Sequence, residues 1–219
     1  MKIISIDGNI GSGKSTLLEF LKKDFADNEN IIFLREPVDI WESITDEAGT
    51  NILEKFYQDQ SKYSFSFQMI AYISRLALLK EAVEKNPTKI IISERSLFTD
   101  KYVFAKMLHD SEKIELINYK IYLQFFDTFV KDYGVDKILY VKADPEKCSE
   151  RITKRSRSGE SNIPLEYLIE CDKYHDEMLD NPDLKNTTKI VLDGNIDIYE
   201  NEGKTLERIE KIKKYILDF

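Results

Sequence analysis

Gly8-Asn9-Ile10-Gly11-Ser12-Gly13-Lys14-Ser15 is the stretch on which the reading of this chain turns. It fits the pattern G-x-x-x-x-G-K-[ST] and stands between an apolar run at 2–7 and a helical pattern at 14–25. Three glycines let the backbone aim its N–H groups at an anion, and the helix that follows adds its positive N-terminal end. In such a loop Lys14 reaches the β- and γ-phosphates of a nucleotide, and the Ser15 hydroxyl holds Mg²⁺.

Outward from the loop, apolar runs recur at 31–35, 89–93, 137–142 and 189–192. They are rich in Ile and Val and continuous rather than alternating, as parallel strands covered on both faces are. Helical patterns at 61–85, 97–108, 112–133, 145–155, 164–179 and 203–217 complete the chain. Strands alternating with helices predict an α/β fold with a doubly wound parallel sheet, and no repeat or linker divides residues 1–219, which read as one domain. In the pattern at 112–133, Tyr119, Tyr122, Phe126 and Phe129 share a stripe with Phe125 beside it. That stripe either packs into the core or meets a second copy of the chain.

In open α/β sheets, ligands bind beyond the carboxyl ends of the strands. Here the loop glycines end the first strand, Glu36 ends the second, and Glu94 and Arg95 end the third. A phosphate cradle, two carboxylates and a guanidinium suit phosphoryl transfer to a hydroxyl: a base for its proton, a metal ligand, and a cation for developing charge.

Composition narrows the classes further. Forty acidic residues against 32 basic ones leave a net charge of -8, a poor balance for gripping a nucleic-acid backbone. Only seven of the 32 basic residues are Arg. Cys148 and Cys171 have no C-x-x-C spacing and read as free thiols, while His109 and His175 sit in polar helical stretches and read as solvent-facing, not as a metal pair. Neither a signal-peptide pattern nor an apolar run near the ~20 residues of a membrane span is seen, so a cytoplasmic protein without membrane contact is expected. A GTPase would carry a guanine-reading N-K-x-D element, which is missing; Asp46-Glu47-Ala48-Gly49 matches a loose D-x-x-G but follows no strand and reads as a turn. A transport ATPase would need a Gly-rich signature segment, also missing. A small phosphoryl-transfer enzyme remains.

Asp7-Gly8-Asn9-Ile10-Gly11-Ser12-Gly13-Lys14-Ser15-Thr16, then Glu36-Pro37-Val38, then Glu94-Arg95-Ser96, then Arg151-x-x-x-Arg155-x-Arg157 and Ile163-Pro164-Leu165-Glu166-Tyr167-Leu168 resemble the deoxynucleoside kinase family in order and spacing, over nearly the whole chain. The resemblance implies a P-loop kinase fold, a five-stranded parallel sheet flanked by helices with an Arg-rich lid, in a homodimer built from long helices. It implies transfer of the ATP γ-phosphate to the 5′-hydroxyl of a deoxyribonucleoside, in nucleotide salvage.

Carried over by position, the family pattern makes Glu36 the general base with Arg95 beside it, and Glu94 the acid associated with Mg²⁺ alongside Ser15. Gly8 to Thr16 would hold the donor's phosphates, Arg151, Arg155 and Arg157 the lid, and Asp197 and Ile198 the loop at adenine, although an aromatic is common at the latter position. Tyr57 and Glu160 match the pair gripping the sugar 3′-hydroxyl, and Phe67 and Gln68 the stacking ring and base-reading amide. Ile10, Val38, Trp41, Leu53, Phe56 and Phe104 would shape the walls. Arg75 lies seven residues after Gln68, on the same helical face. In the family, this Arg with an Asp at the position of Asp100 marks the branch accepting deoxyadenosine, deoxyguanosine and deoxycytidine, with thymidine poor. Two other readings stay open: a nucleoside monophosphate kinase of the thymidylate kinase type, which would need a further cationic site for the acceptor phosphate, and a nucleotide-binding regulator without catalysis.

Overall fold

The structure, a computed structural model, describes residues 1–155, 163–196 and 202–218, with backbone alone for 202–205. Its centre is strand β1 (Lys2–Asp7), flanked by β3 (Ile90–Glu94) and β4 (Lys137–Lys142); β2 (Ile31–Leu34) and β5 (Thr188–Asp193) close the edges. All five pair in parallel in the order β2-β3-β1-β4-β5. Register sets the site: Ile6 lies opposite Glu94, so Gly8 and Arg95 leave neighbouring strands side by side.

Alternate residues of each central strand enter different cores. Ile4, Ile6, Ile92 and Leu139 face Leu17, Leu18 and Leu21 of α1 (Lys14–Asp24), together with Ile209, Ile212 and Ile216 of the C-terminal helix (Glu202–Leu217). Ile3, Ile91, Ile138 and Tyr140 face Tyr72 and Leu79 of a long helix (Gln60–Lys85) and Tyr122 and Phe126 of another (Leu116–Phe129). Each such buried side chain contributes about 1.5–3 kcal/mol relative to exposure, which is why both faces of the sheet demand helices.

The helices are numbered α1 as above, α2 (Val38–Ser43), α3 (Ile52–Gln58), α4 (Gln60–Lys85), α5 (Leu97–Thr99), α6 (Lys106–Asp110), α7 (Leu116–Phe129), α8 (Pro145–Arg155), α9 (Leu165–Leu179) and α10 (Glu202–Leu217). The helix expected at 97–108 is broken by a π-helix, Asp100–Ala105, between α5 and α6. The helix expected at 112–133 starts only at Leu116, because Glu112 has φ 60° and the N–H groups of Lys113 and Ile114 turn back to the Leu108 carbonyl at 2.7 and 3.0 Å. Asp46 to Gly49 is indeed a turn: the Asp46 carboxylate accepts from the N–H groups of Ala48 and Thr50, and Gly49 has φ 82°.

Three side-chain expectations change. The stripe on α7 divides: Tyr122 and Phe126 are fully buried and Tyr119 half-buried, whereas Phe125 and Phe129 are exposed alongside Leu116, Ile117 and Ile121. His175 is fully buried rather than solvent-facing, because four-residue spacing puts it on the inner face of α9 with Cys171. His109 is half-buried and stacks on Tyr119 at 4.3 Å. Both cysteines are free and buried, and burial pushes the Cys148 thiol up to about 11 and the Cys171 thiol to about 12, so neither is reactive. No described helix is long and apolar enough to cross a membrane.

Candidate active site

A cavity of about 370 Å³ opens where the phosphate loop and the ends of β2 and β3 converge. Beyond the strand ends, a third apolar cluster joins Trp41 of α2, Leu53 and Phe56 of α3, Phe67 and Ala71 of α4, Ile152 of α8 and Leu168 of α9. Five of these seven line the cavity, and Ile152 and Leu168 each flank a residue that does, Arg151 and Tyr167.

The loop is built for close approach. Gly11 has φ 78°, and a Cβ there would lie 2.6 Å from the Cys148 carbonyl oxygen. Asn9 braces the loop, its side chain accepting from the Ile10 N–H and donating to the Leu168 carbonyl, both at 2.8 Å. Ile10, Gly11, Ser12, Gly13, Lys14, Ser15 and Thr16 line the cavity, whereas Gly8 and Asn9 shape the turn from behind. Ser12 Oγ is buried with no hydrogen-bond partner among the described residues, and Lys14 Nζ donates to the Asn9 carbonyl at 2.6 Å. Burial and the Arg95 charge push the Lys14 ammonium down to about 7, against partial compensation from Glu94 and Glu36. An orphaned hydroxyl and a destabilised ammonium facing one cradle are complementary to a polyphosphate.

At the strand ends the charges interlock. Ser15 Oγ donates to Glu94 Oε1 at 2.5 Å. Glu36 Oε1 accepts from Arg75 and from Arg95 Nε, each at 3.1 Å. Arg75 also donates to Asp100 at 2.9 Å and to the Glu94 carbonyl at 2.7 Å. Burial alone would raise the Glu36 carboxyl, but the two guanidinium groups outweigh it and hold it at about 2. Burial would likewise lower Arg75, yet Asp100 and Glu36 keep its pKa raised and the side chain charged. Arg95 has φ 64°, uncommon for a residue with a side chain, and its guanidinium lies 4.8 Å over the Phe104 ring.

The apolar walls follow from α2, α3 and α4. Phe67 stacks on Phe56 at 4.7 Å and meets Trp41 edge-on at 5.4 Å. Gln68, next along α4, is buried and lines the cavity, and its amide makes no hydrogen bond among the described residues. Val38 is the exception among the expected wall residues: it packs into the cluster behind the cavity rather than lining it. Leu53 and Phe104 line it as wall residues, and Tyr57 lines it too. Arg151 donates to the carbonyls of Gly194 and Ser12 at 2.7 and 3.3 Å, and Arg155 also faces the cavity. Arg157, Glu160, Asp197 and Ile198 lie outside the described residues.

Seven lining residues had no assigned role in the sequence, Leu17, Val141 and Gly194 among them. Ala71 sits four residues from both Phe67 and Arg75, so helical spacing alone points to it. Tyr167 belongs to the quoted Ile163-to-Leu168 motif and meets Tyr57 edge-on at 6.5 Å. Ile196, just beyond β5, and half-buried Arg208 on α10 gave no local signal.

Known proteins resemble this chain over nearly its whole length. The family profile "Deoxynucleoside kinase" matches residues 4–217. Deoxycytidine kinase 1 of Xenopus laevis and deoxycytidine kinase of Homo sapiens are each 33% identical to the chain, over 99% of it and 91% of their own length. The mitochondrial deoxyguanosine kinase of Xenopus laevis is 27% identical over 99% of the chain and 90% of its own length. The chain belongs to the deoxynucleoside kinase family and is an ATP-dependent nucleoside kinase.

Proposed function

We propose that this enzyme phosphorylates the 5′-hydroxyl of deoxycytidine, deoxyadenosine or deoxyguanosine and uses thymidine poorly. The observation that carries this reading is Arg75, which bridges Asp100 and Glu36 beside the buried Gln68 amide. The base would lie against Phe67, with Gln68 offering one donor and one acceptor to its edge. The Arg75 and Asp100 pair fills the space beyond with fixed polar groups, which suits a ring bearing an amino group better than one bearing a methyl.

In this reading the sugar hydroxyl donates a hydrogen bond to Glu36, and Lys14 and the loop N–H groups hold the donor's phosphates in line with it. The nucleoside oxygen bonds to the γ-phosphorus, the bond to the β-bridging oxygen breaks, ADP leaves, and the hydroxyl proton passes to Glu36. A carboxylate as acidic as Glu36 takes that proton late, which fits the loose transition state of phosphoryl transfer. Mg²⁺ fits the donor set of the Ser15 hydroxyl and the Glu94 carboxylate and would neutralise phosphate charge there. The exposed apolar face of α7, with Ile73 of α4 nearby in type and exposure, supports a homodimer through these long helices.

A monophosphate acceptor is disfavoured because Arg75 and Arg95 are already committed to carboxylates. Coupled ADP-release assays with the four deoxynucleosides and their monophosphates test the reading. Turnover of deoxycytidine or a deoxypurine nucleoside is expected; turnover of monophosphates alone would replace it with the other enzyme class, and no turnover would favour a regulator.

A further inference from the structure

The guanidinium of Arg95 is fixed from several sides at once. Its Nε donates to Glu36 at 3.1 Å and its Nη1 to the Gly8 carbonyl at 2.8 Å, while Phe104 supports its face. Its other polar neighbour is His175 of α9, fully buried, with Nε2 3.5 Å from the same Nη1. His175 Nδ1 lies 2.6 Å from the Cys171 carbonyl, one helical turn earlier. A carbonyl can only accept, and two act on the ring, those of Cys171 and Gly8. The Gly8 carbonyl already takes the Arg95 Nη1 hydrogen, so the proton belongs on Nδ1, toward Cys171, and Nε2 turns its lone pair toward Arg95. The ring is held edge-on to Phe104 at 6.1 Å and stacked on Tyr140 at 6.0 Å. Burial and the positive charges of Arg95 and Lys14 push its pKa well below the usual histidine value, so the imidazole stays neutral.

We propose that His175 is a positioning residue for phosphoryl transfer: its Nε2 lone pair holds the Arg95 guanidinium in register with Glu36 and the phosphate loop. This rests on the reading of Arg95 as part of the reacting centre. Small displacements of such a group cost rate without costing binding.

His175→Phe keeps a ring between Phe104 and Tyr140 and removes the two nitrogens; His175→Gln returns an acceptor oxygen. The expected result is a kcat ~10-fold lower for the Phe variant with both KM values within ~2-fold, substantial recovery in the Gln variant, and no further loss when His175→Phe is added to Arg95→Lys. Unchanged kcat in the Phe variant, no recovery with Gln, or an equal additional loss in the Arg95→Lys background would overturn the proposal. Full activity of Arg95→Lys itself would instead remove the underlying role of Arg95, so the two failures are distinguishable. Nitrogen-15 histidine NMR of the unaltered enzyme gives a test independent of how variants fold: a neutral ring protonated on Nδ1 is expected from about pH 6 to 8. An imidazolium or a ring protonated on Nε2 would contradict it.

Discussion

Lys14 and Glu36 show how single residues are tuned by the same buried charge cluster in opposite ways. Lys14 is pushed down to about 7 by burial and Arg95, so above that pH much of it is neutral until an anion arrives. A triphosphate beside Nζ favours the charged form, so ATP binding near pH 8 should take up close to one proton and near pH 6 almost none, with affinity falling as pH rises past 7. Titration calorimetry in buffers of different ionisation enthalpy measures this uptake; none at the higher pH would contradict it. Glu36, held at about 2, is ionised throughout the neutral range and contributes no acid limb of its own to the rate profile. Glu36→Gln should lower kcat by ~10²–10⁴-fold, while Glu94→Gln should chiefly raise the Mg²⁺ concentration needed. Near-normal turnover of the Glu36 variant beside an inactive Glu94 variant would exchange their roles. Glu36, Glu94 and Arg95 could be found in the sequence because each ends a strand, and strand ends converge. His175 could not, because a polar neighbourhood in sequence, Asp172, Lys173 and Asp176, hid its position on the inner face of a helix.

Elements were legible in proportion to their length and periodicity. The five strands were found to within one or two residues because continuous Ile and Val runs have few alternatives. Short α2 and α3 were missed, although Asn51 followed by Glu54 marks the start of α3: the Asn51 side chain accepts from the Glu54 N–H at 2.9 Å. The π-helix Asp100–Ala105 was also invisible, since a hydrophobic pattern does not separate π from α geometry; it delivers Asp100 to Arg75 and Phe104 to Arg95 within one turn. The loop preceding α1 is fixed by backbone shape, so Gly11→Ala should destabilise by ~1 kcal/mol or more and weaken ATP binding, seen as a lower melting temperature and a raised KM for ATP. Apolar on both faces, α7 was readable as a helix but not as to which face meets the core. Replacing exposed Ile117 and Ile121 with Glu should yield a folded monomer by light scattering; a monomeric unaltered enzyme at every concentration would remove the dimer.

For the whole molecule, an acidic total of -8 conceals a concentrated cationic site. Of the seven arginines, Arg75, Arg95, Arg151, Arg155 and Arg208 line one cavity, Arg35 pairs with Glu19 at the surface, and Arg157 lies outside the described residues. Arg208 reaches the cavity from the last helix, α10, whose Ile209, Ile212 and Ile216 share a core with Leu17, Leu18 and Leu21 of α1, a placement no local pattern reveals. In the proposed reading, Arg75 and Asp100 select the base. The most direct measurement of that selection is the ratio of kcat/KM for thymidine to that for deoxycytidine, in the unaltered enzyme and in an Arg75→Met, Asp100→Ala double variant. The ratio is internal, so a general loss of activity through the Arg75 contact to Glu36 cancels. It should lie below ~0.1 in the unaltered enzyme and rise at least ~10-fold in the variant; equal use of the two nucleosides by the unaltered enzyme, or a ratio unmoved by the substitutions, would contradict the claim.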